Sequence, residues 1–67
     1  MTPRRLGTVL STLRKGKQLT QDQLAARGGV TKPYVSQLES GARKNPSLAT
    51  LKRLAKALGV PVAELMK

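Results

Sequence analysis

Residues 20–41 read TQDQLAARGGVTKPYVSQLESG, and the arrangement of the whole chain follows from them. Thr20 can cap a helix, and Gln23 three residues later completes a capping box. Each side chain then satisfies an amide that the first helical turn leaves without a partner. Gln21 and Asp22 fall in that turn, where acceptors and negative charge suit the positive end of the helix dipole. Leu24 and Ala25 supply an apolar face. Gly28-Gly29 stops the segment by allowing a left-handed backbone, and Val30 turns back into the core. Thr31 caps a second segment, which tolerates Pro33 because first-turn amides have no intrahelical acceptor to lose. Val35 and Leu38 face inward, and Gly41 ends it. Lys32, Pro33, Tyr34, Ser36 and Gln37 remain on or near the outward side, mostly as donors and acceptors.

Two short helices about a tight turn, the second with a polar outer face, form the geometry that reads the major groove of DNA. Composition agrees. Thirteen Lys and Arg stand against three Asp and Glu, a net charge of +10 and a pI near 11.4. That excess implies an anionic partner. The 67 residues allow one domain, expected over 1–67, with the helix-turn-helix at about 20–41. Without cysteine there is no disulfide framework and no thiolate metal site. Without histidine the commonest general base and metal ligand is missing. Asp22, Glu39 and Glu64 are too few and too scattered for paired-carboxylate chemistry. No enzyme activity, cofactor, metal or small-molecule substrate is therefore expected.

Outside the central stretch, Thr2-Pro3 reads as a cap and first-position proline that start helix 1. Leu6, Val9, Leu10 and Leu13 follow at i, i+3, i+4, i+7. Gly7 weakens that helix by about 1 kcal/mol relative to alanine, and Gly16 is its expected stop. Leu19 either staples onto Leu24 or packs between helices 1 and 2. Arg4-Arg5 resembles a twin-arginine signal only superficially, since LGTVLSTLRK is short and interrupted by polar residues. No run approaches the ~20 apolar residues of a membrane span, so a cytoplasmic location and no membrane partner are expected. After Gly41 a basic loop, Ala42-Arg43-Lys44-Asn45, runs into Pro46, which forces Asn45 out of the helical region. Ser47 caps helix 4, with Leu48, Leu51, Leu54, Ala55 and Leu58 as its stripe. Lys52 and Lys56 read as solvated. Gly59 ends it, and Val60-Pro61 opens a last short helix carrying Val62, Glu64, Leu65 and Met66. The expected fold is all-α, a compact bundle of five short helices with helices 2 and 3 as the helix-turn-helix.

The chain resembles the lambda Cro/repressor-like (XRE) helix-turn-helix family along nearly its whole length. The matching pieces are LRKGK, LTQDQLA, the Gly-Val-Thr turn, YVSQLESG, the basic loop reaching NPSL, and LKRLAKALGV. The resemblance implies a lambda repressor-like fold and a transcriptional regulator, with repression the expected effect. It also implies site residues. Thr31, Lys32, Pro33, Ser36 and Gln37, on a recognition helix at about 32–40, match positions that face bases and nearby phosphates. Gln21 matches a glutamine that bonds phosphate while bracing that helix. Ser40, Arg43, Lys44 and Asn45 match the loop that grips the sugar–phosphate backbone. Arg14 and Glu39 match a structural ion pair.

Side-chain chemistry agrees with several of these. Gln37 can present donor and acceptor together, the pattern that reads adenine, and Lys32 can donate to guanine O6 and N7. Pro33 departs from the polar residue common in the family and offers only apolar contact, such as to a thymine methyl. Tyr34 fits a phosphate contact or simple packing at a helix flank with its hydroxyl wet. Ser47 adds free helix amides, a ready anion site. Glu39 would repel phosphate unless neutralised, which suits a partly buried scaffold with Arg14.

Since one recognition helix covers few base pairs, a homodimer on a palindromic operator is expected. Its contact surface would lie at helix 5 and the helix 4–5 corner, around Val62, Leu65 or Met66. Two alternatives share the same core: an antitoxin whose other surface holds a toxin, and the DNA-binding domain of a larger regulator. A membrane-active peptide is disfavoured, because the basic residues are split by specified turns and no interfacial tryptophan is present. Single-stranded RNA is disfavoured because one tyrosine makes no stacking platform.

Overall fold

Three of the helices begin where a hydroxyl side chain takes up an orphan amide and end where a glycine turns the backbone left-handed. The computed structural model describes residues 5–66, Arg5 by its backbone alone. Four α-helices follow in order: α1 (Arg5–Gly16), α2 (Gln21–Gly28), α3 (Lys32–Ser40) and α4 (Leu48–Leu58). The described residues contain no strand. The start expected at Thr2-Pro3 lies outside the described residues.

The expected caps form. Thr20 Oγ1 accepts from the Gln23 amide at 3.0 Å, and Gln23 Oε1 accepts from the Thr20 amide at 2.8 Å. Thr31 accepts from the Tyr34 amide and Ser47 from the Thr50 amide. Gly29 takes φ 72°, and its neighbour's amide, that of Val30, closes onto the Ala25 carbonyl. The end of α1 differs from expectation. Gly16 is the last helical residue, but the left-handed position is Gln18, at φ 60°. The amides of Gln18 and Leu19 return to the carbonyls of Lys15 and Arg14, so a Schellman closure forms without glycine.

The expected fifth helix is a single 3-10 turn, Val62–Leu65. Pro61 lacks an amide, and the four residues close by i→i+3 bonds, Glu64 N–H to the Pro61 carbonyl. So short a segment cannot offset the cost of nucleating an α-helix.

The core is Leu10, Leu19, Leu24, Ala25, Val35, Leu38, Leu54, Ala55, Leu58 and Leu65. Leu6, Val9 and Leu13 of the α1 stripe line its edge. Leu48 departs from the α4 stripe and stands 51% exposed. It is the first residue of its helix. Leu65 is buried and Val62 half-buried, so Met66 is the exposed member of the trio named for a dimer surface.

Gly7 has a role that helix propensity does not reveal. It is buried where α1 crosses the end of α3. A Cβ there would stand 2.6 Å from the carbonyl oxygens of both Leu38 and Glu39. No other residue type lets the two backbones approach so closely.

Candidate nucleic-acid interface

The close approach at Gly7 sets the position of α3 at its C-terminal end, and a polar cluster holds that same end. Arg14, on α1, reaches Glu39 on α3 with two parallel bonds, Nε to Oε2 at 2.7 Å and Nη2 to Oε1 at 3.0 Å. Its Nη1 donates to the Leu19 carbonyl at 2.7 Å, between α1 and α2. From the first turn of α2, Gln21 Nε2 donates to Glu39 Oε1 at 3.0 Å. One carboxylate therefore ties three helices together. The paired side chains are 11% and 8% exposed, with no buried side-chain N or O among the described residues left unsatisfied.

Burial works against the Glu39 charge. Hydrogen bonds from Arg14 and Gln21, then the positive charges of Arg14 and Lys15, outweigh it and hold the carboxyl below the usual glutamate range. The hydrogen bond to Glu39 lifts the Arg14 guanidinium further above its ordinary value. The fork-to-fork geometry gives planar, directional strength that a lysine could not reproduce.

With its inner face so held, α3 leaves Lys32, Pro33 and Gln37 exposed and Ser36 half-exposed. Thr31 sits at its start, where the cap uses an oxygen lone pair and leaves the hydroxyl proton free. Lys44 and Asn45 are exposed in the following loop. Ser40 and Ser47 make their hydrogen bonds locally. Ser40 donates to the Gln37 carbonyl and accepts from the Ala42 amide; Ser47 donates to Thr50 Oγ1. Positive charge also lines a shallow groove between the end of α2 and α4, from Arg27, Arg53 and Lys56.

Sequence reasoning placed Arg43 in a loop apart from Gln37, and the structure brings them together. The left-handed turn at Gly41, φ 88°, folds the chain back over α3. The Arg43 amide then donates to the Gln37 carbonyl at 3.1 Å, and its Nε donates to Gln37 Oε1, also at 3.1 Å. The guanidinium lies 4.9 Å from the centre of the Tyr34 ring, a cation–π distance. Tyr34 is half-buried against the core. The signal available in advance was the Ser-Gly ending of α3, which brings the next residues back over its last turn.

Residues 10–65 match the helix-turn-helix family. The chain is 46% identical over 61 residues to the HTH-type transcriptional regulator y4dJ of Sinorhizobium fredii, covering 91% of this chain and 78% of that protein. Against two Bacillus subtilis regulators, 42 and 43% identical, it spans only 43 and 44% of their length; the second is the transcriptional repressor RghR. Among solved structures it superposes on the restriction-modification controller C.AhdI from Aeromonas hydrophila, with TM-score 0.89, 38% identity and 94% of each chain covered. It superposes equally well, with TM-score 0.89, on the biofilm master regulator SinR solved in complex with DNA. There the identity is 32%, over 92% of this chain and 98% of that one. Among the described residues no helix is long and apolar enough to cross a membrane.

Proposed function

Because the chain belongs to the Cro/repressor-like (XRE) helix-turn-helix family, we propose that it is a sequence-specific, double-stranded DNA-binding transcriptional regulator that represses. The observation that carries this is α3 itself. Its inner face is pinned by Gly7 and Glu39, while its outer face offers Lys32, Ser36 and Gln37 to a groove. A side chain reads a base edge well only if its helix is held within a fraction of an ångström.

In this proposal Thr31, Lys32, Pro33, Ser36 and Gln37 face the bases. Gln21, Tyr34, Arg43, Lys44, Asn45 and the start of α4 at Ser47 grip the backbone. Gln21 does so with the amide proton that its bond to Glu39 leaves free. For Ser40 to reach phosphate, its hydroxyl must leave the Gln37 carbonyl. The whole of 1–67 acts as one such domain in the cytoplasm, without catalytic activity. Two copies bind a palindromic operator. One recognition helix covers few base pairs, and half-sites about one helical turn apart place the two copies on one face of the duplex. Met66, 60% exposed, and half-buried Val62 supply apolar surface at the closing turn.

Selection from a random duplex pool tests the proposal. The expected result is an enriched sequence with two inverted half-sites about one helical turn apart, carrying two chains per duplex by mass. A pool that never departs from random sequence overturns specific recognition. Enrichment of one half-site bound by one chain overturns the dimer alone.

A further inference from the structure

We infer that Arg43 is a positioning residue for base readout, setting the side-chain amide of Gln37 in one orientation before DNA arrives. This rests on the proposal that α3 enters the major groove.

An arginine Nε can only donate, so the atom it meets at 3.1 Å must be the amide oxygen of Gln37. The Nε2 donors are thereby turned away from the loop. Two further contacts and a turn hold Arg43. Its own amide bonds the Gln37 carbonyl, its guanidinium lies over Tyr34 one turn earlier on α3, and Gly41 supplies the left-handed reversal. A free glutamine on a helix surface samples many rotamers and both amide orientations, and ordering it opposes binding. Here part of that ordering is done within the free protein. Asn or Gln reads a base by pairing donor and acceptor with one edge, so the amide's orientation is the information it carries. Arg43 therefore contributes to sequence preference through Gln37 as well as to affinity through charge.

Arg43→Lys separates these contributions. Lysine keeps the charge but lacks the planar Nε donor and its fixed angle to the ring. Three proteins are compared on the wild-type selected duplex and on single-base variants of it: wild type, Arg43→Lys and Gln37→Ala. Far-UV circular dichroism confirms that the variants are folded. Gln37→Ala is expected to flatten the preference at one base pair by about tenfold. Arg43→Lys should flatten it at the same base pair by at least about fivefold and leave preferences at other positions in place. Side-chain nitrogen relaxation of Gln37 in the free protein should show an ordered amide in wild type and a mobile one in Arg43→Lys.

If Arg43→Lys keeps the preference that Gln37→Ala loses, Arg43 is only a phosphate grip and the inference is overturned. It is also overturned if the Gln37 amide is equally mobile in both proteins. A wild-type protein that selects no sequence removes the underlying reading as well, an outcome distinct from either.

Discussion

Replacing Glu39 by glutamine changes one atom, and the geometry around it makes that change expensive. Three donors converge on the two carboxylate oxygens: Arg14 Nε, Arg14 Nη2 and Gln21 Nε2. Glutamine keeps one oxygen and sets an NH2 donor against an arginine donor. It also leaves the Arg14 charge, 11% exposed, without its counterion. Losing a hydrogen bond to a charged group costs about 1.5–3 kcal/mol. Removing one partner of a buried pair costs about 3–5 kcal/mol. Because one oxygen and the Leu19 carbonyl remain for Arg14, about 3 kcal/mol is the working figure. A 67-residue domain holds roughly 3–10 kcal/mol in all. The expected loss is thus a large share of the fold's stability and about 12–24 °C in Tm. Thermal and urea unfolding followed by circular dichroism measure it directly. The double variant Arg14→Met with Glu39→Leu should be less harmful than the sum of its singles, since apolar replacement removes both charges together. Recovery stays incomplete because the Leu19 carbonyl and Gln21 lose partners. Base preference, measured where Glu39→Gln is still folded, should not change. A Tm within about 2 °C of wild type, or a shifted base preference at unchanged stability, would refute the scaffold role.

Acid should weaken the same contact. The native carboxyl lies below its ordinary 4.5, so the unfolded chain binds the proton first. The stabilisation from Glu39 is complete above that value and is lost as pH falls through the depressed native pKa. The gap in urea midpoint between wild type and Glu39→Gln should close from about pH 5 downward, and a constant gap would contradict the linkage. Two glycine-to-alanine substitutions in α1 should have opposite signs. Gly7→Ala forces a Cβ to 2.6 Å from two carbonyl oxygens, an overpacking cost of about 1–3 kcal/mol that exceeds the gain in helix propensity of about 1 kcal/mol. Gly16→Ala meets nothing within 4 Å and should stabilise by about 0.5–1 kcal/mol. Denaturant midpoints decide both, and a stabilising Gly7→Ala would show that α1 and α3 do not meet as described.

What the sequence determined alone is local. Thr20 with Gln23, Thr31, Ser47 and the glycines at 29, 41 and 59 act within a turn of their own backbone, so their caps follow from residue identity and spacing. The inward Leu and Val positions follow likewise from the 3.6-residue period, except at Leu48, where a helix end carries a stripe residue past the core's edge. The outward row on α3 was legible for the same reason. The Arg14–Glu39 pair, 25 residues apart, could be anticipated only through resemblance to a family. Tertiary structure alone decided four things: the need for glycine at 7, the joining of Gln21 to Glu39, the burial of Leu65, and the bond from Arg43 to Gln37. Each depends on which surfaces of separate helices come within a few ångströms. That distance is set by the packing of the whole core, and no spacing along the chain encodes it.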